Sequence, residues 1–199
     1  MVQRDPHLQS LLDHVEASIA QDQAATAPTK RVTDIIFSSL RAKIFEPGTP
    51  NPIRLPPCAL LDDAIAEACM THGKAADVAL AFRAIEAGLT WTRRKGWEGE
   101  DASFAHGHAN AMIVGPGGLE PRDDVWIGVS LMAPNVRYPD HQHPPEEVYT
   151  VLSDGEWRKA GGDWFAPGIG GIVHNSPGIV HAMRSGDKPL LAIWCLWIG

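Results

Sequence analysis

At 199 residues the chain is long enough for one well-buried domain, or a domain with a sizeable extension, and too short for two independent domains of ordinary size. Its formal net charge of -7 argues against a nucleic acid partner, which calls for clustered lysine and arginine. Three cysteines, Cys58, Cys69 and Cys195, form no CxxC pair and leave an odd thiol, which speaks against a disulfide framework or a thiolate zinc site and favours a reducing compartment.

The opening MVQRDPHLQSLL lacks a cationic stretch followed by a long apolar one, and no run of about 18 apolar residues occurs anywhere. A cytoplasmic protein with no membrane partner is expected. Asp5-Pro6 reads as an N-cap followed by proline at the first helical position, and Leu8, Leu11, Leu12, Val15 and Ile19 recur at helical spacing. A second stripe, Val32, Ile35, Ile36, Leu40 and Ile44, stops before Glu46-Pro47-Gly48. Third and fourth helices are predicted over 57–71 and 74–87, the last closed by Gly88 as a C-cap. Arg93-Arg94-Lys95, the one basic cluster, reads as a solvated loop or strand end.

From residue 90 onward the period changes. HANAMIVG, DDVWIGVSLMA, EEVYTVL, GGIVHN and PLLAIWCLWI are short, rich in β-branched and aromatic residues, and separated by Gly, Pro and Asp clusters. They predict an antiparallel barrel or jelly roll over 91–199, with residues 1–90 as a helical extension packed against it. That extension also offers a surface for a homodimer.

The segment HQHPPEEVYTVL holds the densest chemistry. In a helix His141 and His143 would point about 200° apart, whereas in an extended strand residues two apart share a face. Pro144-Pro145 interrupts any ladder, after which Glu147, Tyr149 and Val151 again share a face. Two imidazoles and a carboxylate can therefore converge, and NSPGIVHAM supplies His181 as a fourth ligand after a Pro-Gly turn. Three nitrogens and one oxygen suit Zn, Fe, Mn, Ni or Co better than Mg or Ca. Glu146, out of phase, is expected at the surface. His7, His14, His72 and His174 read as ordinary exposed or hydrogen-bonded histidines. His106 and His108 have no carboxylate in strand phase and are not expected to bind metal.

The pattern H-x-H-x-x-x-E, then a strand and a turn, then P-G-x-x-H about thirty residues on, resembles the two metal motifs of the cupin superfamily. The match departs at Asp154, where the motif glycine is displaced to Gly155, and at Ser185, which stands where an asparagine is common. More of the chain, YPDHQHPPEEVYTVLSDGEW and WFAPGIGGIVHNSPGIVHAM together with the helical half, is similar to the cupin-type dimethylsulfoniopropionate lyases. That resemblance implies a barrel holding one divalent metal through His141, His143, Glu147 and His181. It also implies two catalytic phenols, Tyr138 and Tyr149, and these are the only tyrosines of the chain.

The implied reaction is β-elimination from a small zwitterion to dimethyl sulfide and acrylate. A metal would neutralise the carboxylate and help a tyrosine, which normally titrates near 10, to act as base. Aromatic walls for the sulfonium are expected from Trp126, Trp194, Trp197 and Phe104. The alternatives are a cupin dioxygenase acting on a small organic acid or thiol, and a non-catalytic cupin sensor.

Overall fold

The computed structural model describes residues 3–94 and 102–199; Lys95 of the basic cluster lies outside them. The helices come first. α1 (Pro6–Gln21) starts where Asp5 accepts hydrogen bonds from the backbone N–H of His7 and Leu8, and Pro6 occupies a position whose N–H would have no partner in any case. Its Leu8, Leu11, Leu12, Val15 and Ile19 stripe is buried. α2 (Ala27–Ala42) is capped by Thr26 and ends one residue before Lys43 turns extended, so Ile44 falls outside the helix. The chain peels away there because Phe45 is drawn between the cations of Lys43 and Arg122.

A single helix over 57–71 is replaced by a 3-10 turn, Pro56–Leu60, leading into α3 (Leu61–Met70); the paired prolines hold the tighter entry. α4 (Lys74–Glu86) closes on Ala87 in the right-handed conformation, so Gly88 is not the left-handed cap that the sequence suggests. Among the described residues no helix is long and apolar enough to cross a membrane.

The remainder is β1 (Trp91–Thr92), α5 (Ala102–Gly107), β2 (His108–Val114), β3 (Val125–Met132), β4 (Arg137–His141), β5 (Glu146–Val151), β6 (Glu156–Lys159), β7 (Ile172–Asn175), β8 (His181–Arg184) and β9 (Leu190–Trp197). They form a six-stranded sheet in the order β1-β2-β3-β9-β5-β7 and a three-stranded sheet in the order β4-β8-β6. Every pairing is antiparallel. The architecture is a cupin-type double sheet with helices on one side.

The larger sheet is buried on both faces, which explains why its strands read as near-continuous apolar runs. Ile113, Ile127, Val129, Val148, Ile193 and Cys195 turn outward into one apolar cluster with α1 to α4. The alternate residues Met132, Tyr149, Val151, Ala192 and Trp194 turn inward and meet Tyr138, Trp157 and Met183 of the smaller sheet. Each buried Leu, Ile or Val contributes roughly 1.5–3 kcal/mol, so the helices and the sheet stabilise each other through one shared core.

Buried charge reinforces this join. Arg4 places Nε 2.5 Å from Glu120 and donates to the Leu40 carbonyl at 2.8 Å, while Arg122 reaches Asp124 at 2.6 Å and the Ser39 carbonyl at 3.2 Å. The end of α2 is thereby tied to the turn between β2 and β3. At the far end of the barrel Ser185 accepts from the Val136 N–H and donates to the Ala133 carbonyl, so its hydroxyl braces the start of β4.

Candidate active site and metal centre

His141 and His181 are cross-strand partners on β4 and β8, with ring centroids 4.1 Å apart. His143 lies just beyond the end of β4, in the segment containing Pro144-Pro145, and its ring sits 5.1 Å from that of His181. The two histidines of the HxH pair therefore converge although only His141 belongs to a strand. The His143 carbonyl accepts from the Gly178 N–H, which links the HxH segment to the Pro-Gly turn preceding His181.

One ring nitrogen from each of the three lies within 4.8 Å of the others. Glu147 faces them from β5, its Oε2 3.4 Å from His143 Nε2 and 3.2 Å from His181 Nε2, and Asn175 donates to that same oxygen at 2.9 Å.

The hydrogen bonds of the imidazoles decide what the cluster can do. Nδ1 of His141 faces the Pro139 carbonyl at 2.8 Å, that of His143 the Pro145 carbonyl at 2.9 Å, and that of His181 the Ile179 carbonyl at 2.9 Å. A carbonyl only accepts, so each Nδ1 carries the proton and each Nε2 keeps a lone pair. Nε2 of His181 is buried, and despite its closeness to Glu147 it is not aligned for a hydrogen bond. Three aimed lone pairs beside a carboxylate, one of them an orphaned buried atom, fit a divalent transition metal.

Electrostatics separate the imidazoles: burial lowers His143, but the Glu147 carboxylate beside it more than reverses this and raises it. Burial, with His181 next to it, pushes His141 down to about 3. Burial also pushes Glu147 upward, but the His143 and His181 imidazoles more than reverse this and hold it well below the usual carboxylate range.

Both tyrosines reach the same cavity, of about 430 Å³. Tyr149 follows Glu147 at strand spacing. Tyr138 arrives by a different route: it pairs with Met183 while His141 pairs with His181, so three steps on β4 match two on β8. This bulge, at Pro139 and Asp140, lets Tyr138 and His141 both point inward, and it accommodates a proline that lacks an N–H. Burial raises the pKa of both phenols. For Tyr149 the Glu147 carboxylate adds to the rise, whereas for Tyr138 the Arg94 guanidinium opposes it.

Trp126 and Trp194 line the cavity, with Met112, Leu196 and Ser130. Trp197 does not: three residues from Trp194 on one strand, it turns to the opposite face and packs against the helical core. Phe104 lies behind Tyr138, their ring centroids 4.5 Å apart. Glu146 is not at the surface either. The outer face of β5 is covered by α2, and there Glu146 takes Arg31 at 2.5 Å and His174 at 2.7 Å.

Of the second HxH pair, His106 is exposed and His108 is buried with both ring nitrogens engaged. Nδ1 donates to the Phe104 carbonyl at 2.6 Å, and Nε2 accepts from the Arg94 N–H at 2.9 Å.

Of the lining residues that escaped the sequence reading, two touch a catalytic candidate. Arg94, expected in a solvated loop, donates from Nη1 to the Tyr138 hydroxyl at 2.8 Å, and Asn110 of β2 contacts the same hydroxyl. The available signal was the alternation of His108, Asn110 and Met112, which puts polar residues on an inward face.

Comparison with known proteins adds to this geometry. The family model for dimethylsulfoniopropionate lyase matches residues 28–192. The dimethylsulfoniopropionate lyase DddQ of Ruegeria pomeroyi is 31% identical over 202 residues, covering 100% of this chain and 92% of its own. A putative dimethylsulfoniopropionate lyase, DddL of Cereibacter sphaeroides, is 28% identical over 128 residues, covering 64% of this chain and 53% of its own. The crystal structure of the Ruegeria pomeroyi DSS-3 DddQ superposes with a TM-score of 0.71 at 28% identity, covering 97% of this chain and 92% of that one.

Proposed function

The chain belongs to the dimethylsulfoniopropionate lyase family, and from that premise we propose that it cleaves dimethylsulfoniopropionate to dimethyl sulfide and acrylate. His141, His143, Glu147 and His181 would hold one divalent transition metal, with Tyr138 and Tyr149 as the catalytic phenols. The observation that carries this reading is a cluster of three Nε2 lone pairs and one carboxylate at the wall of a cavity that both tyrosines of the chain line.

When bound, the metal supplies Lewis-acid neutralisation of the substrate carboxylate and of the charge that develops next to it. The remaining work falls to the protein. One tyrosine would act as its phenolate, its own proton having passed to solvent; that oxygen takes the proton from the carbon adjacent to the carboxylate and becomes a neutral phenol, the freed electron pair becomes the carbon–carbon double bond, and the carbon–sulfur bond breaks with its pair going to sulfur. No electron enters or leaves the system.

Tyr149 sits against Glu147, while Tyr138 receives a donor from Arg94 with Asn110 close by, so the two phenols have different surroundings for holding and releasing that proton. Trp126 and Trp194 present aromatic faces suited to a sulfonium, which has no proton to donate. The apolar cluster shared with α1 to α4 supports residues 1–90 as a cover for the barrel of residues 91–199.

The test is headspace detection of dimethyl sulfide, with acrylate measured in parallel, from purified protein loaded in turn with Zn, Fe, Mn, Ni or Co. Equimolar products without oxygen consumption are expected. Absence of dimethyl sulfide with every metal, or oxygen uptake on a small organic acid or thiol, would overturn the lyase in favour of a dioxygenase.

A further inference from the structure

We propose that Arg94 is the carboxylate-binding residue of this cavity and thereby sets the direction in which a zwitterionic substrate lies. The inference deepens the lyase reading and rests on it for the identity of the substrate.

The first observation is a missing partner. Arg4, Arg31, Arg41, Arg54, Arg83, Arg122, Arg137, Arg158 and Arg184 each pair with a carboxylate. Among the described residues only Arg93 and Arg94 have none; Arg93 is exposed, whereas Arg94 lines the cavity and is its one arginine or lysine. The guanidinium carries five N–H donors in a planar fork, and one of them, on Nη1, meets the Tyr138 hydroxyl. The rest of the fork is what a carboxylate recognises.

The second observation is that the backbone carrying the side chain is anchored. The Arg94 N–H is held by His108, whose ring stacks on Phe104 with centroids 3.8 Å apart and whose other nitrogen is held by the Phe104 carbonyl. A carboxylate has two oxygens and about four acceptor directions, so a fork on Arg94 leaves it free for a second partner.

The third observation is the polarity of the cavity. Asn110, beside Arg94 and Tyr138, pairs with Ser130 on β3; two residues along, Gly128 pairs with Trp194, and two further stands Trp126. At about 3.3 Å per residue, Trp194 lies roughly 7 Å along the strand from the Asn110 level. Two methylenes separate carboxylate from sulfonium, and the extended zwitterion, from a carboxylate oxygen to an S-methyl group, is of this order. A guanidinium repels a sulfonium and uncharged indole faces attract it, so the carboxylate lies at the Arg94 end and the leaving group at the tryptophan end.

The experiment uses metal-loaded protein with Arg94→Gln and Arg94→Lys, reading kcat and KM for dimethylsulfoniopropionate and, separately, acrylate binding by calorimetry. Arg94→Gln is expected to raise KM and weaken acrylate binding, each roughly ten- to hundredfold, with bound metal unchanged. The methyl ester of the substrate, used as a competitor, should bind parent and variant alike.

Unchanged acrylate affinity in Arg94→Gln, or a fall in kcat alone, would overturn the proposal and leave Arg94 as a support for Tyr138. If the Gln variant does not fold, the Lys variant keeps the charge, loses the fork, and should show the same pattern at smaller amplitude. A parent that releases no dimethyl sulfide while its variant still binds acrylate weakly would sink the lyase reading and keep the anchor. A parent that turns over, with acrylate binding indifferent to Arg94, would do the reverse.

Discussion

Replacing Gly128 with alanine probes the shape of the cavity with a single methyl group. Gly128 faces inward from the middle of β3, opposite Trp194. A Cβ placed there would lie 2.2 Å from Cζ2 and 2.4 Å from Cη2 of the indole, and 2.6 Å from the Ala111 carbonyl oxygen. Carbon atoms pack at about 3.5–4.0 Å, so the ring would have to withdraw by more than about 1 Å. The backbone oxygen has less freedom still, because β2 is paired on both sides, with β1 and β3. Overpacking of this kind costs about 1–3 kcal/mol. In a chain of this size each kcal/mol lowers Tm by roughly 2–4 °C, which places the expected fall between about 2 and 12 °C. The displaced indole would also narrow the space that a sulfonium would occupy, so KM should rise. Thermal unfolding followed by circular dichroism, alongside dimethyl sulfide release, measures both effects. A Tm within about 1 °C of the parent with an unchanged KM would refute the placement of Trp194 against β3.

The phenols, the proposed ligands and the buried ion pairs each give a separate expectation. Tyr138→Phe and Tyr149→Phe remove only a hydroxyl, and for the true base turnover should fall by about 10² to 10⁴ with metal retained; near-parental rates in both would end the phenol mechanism. His143→Ala, Glu147→Ala and His181→Ala should lose bound metal, measured by elemental analysis, together with activity, while His106→Ala keeps both. Loss of metal on removing His106 and not His181 would relocate the centre. The Arg122 hydrogen bond holds Asp124 below the usual carboxylate range, so its stabilisation is fully present above the unfolded pKa of about 3.9 and fades as pH falls below it. The Tm difference between parent and Asp124→Asn should therefore be steady near neutrality and close as pH drops from about 4 towards 2; a gap that widens on acidification would contradict the pairing.

Much of this was legible in the residues because two periods announce themselves. Asp5-Pro6 and the Leu8 to Ile19 stripe specify a helix start and a buried face by local rules alone. The alternation around Glu147 and Tyr149 places both on one side of β5. The failures have a common origin in the two-sided burial of the larger sheet. Sequence phase alone puts Glu146 at the surface, because it supposes that the face opposite Glu147 meets water, but α2 covers that face. Aromatic content alone groups Trp197 with Trp194, but their odd spacing divides them between the two cores. Arg94 was hidden differently: β1 has only two residues, and a basic run beside it looks like any solvated loop until β2 brings His108 underneath.

The bulge in β4 means that residue count at this point governs chemistry more strongly than residue identity. A regular ladder would need an even number of steps between Tyr138 and His141 for both to face the cavity, and the chain has three. Deleting one residue would match the two steps of β8 without a bulge, whereas inserting one would leave two residues in excess of β8 and force a larger bulge that has to re-aim both side chains. A barrel that kept its three histidines but turned this phenol to the outside would retain the cluster and lose one of its two tyrosines. Length variation at Pro139-Asp140 is thus a route by which one scaffold can be moved between reactions, and a better place to begin redesign than the metal ligands themselves.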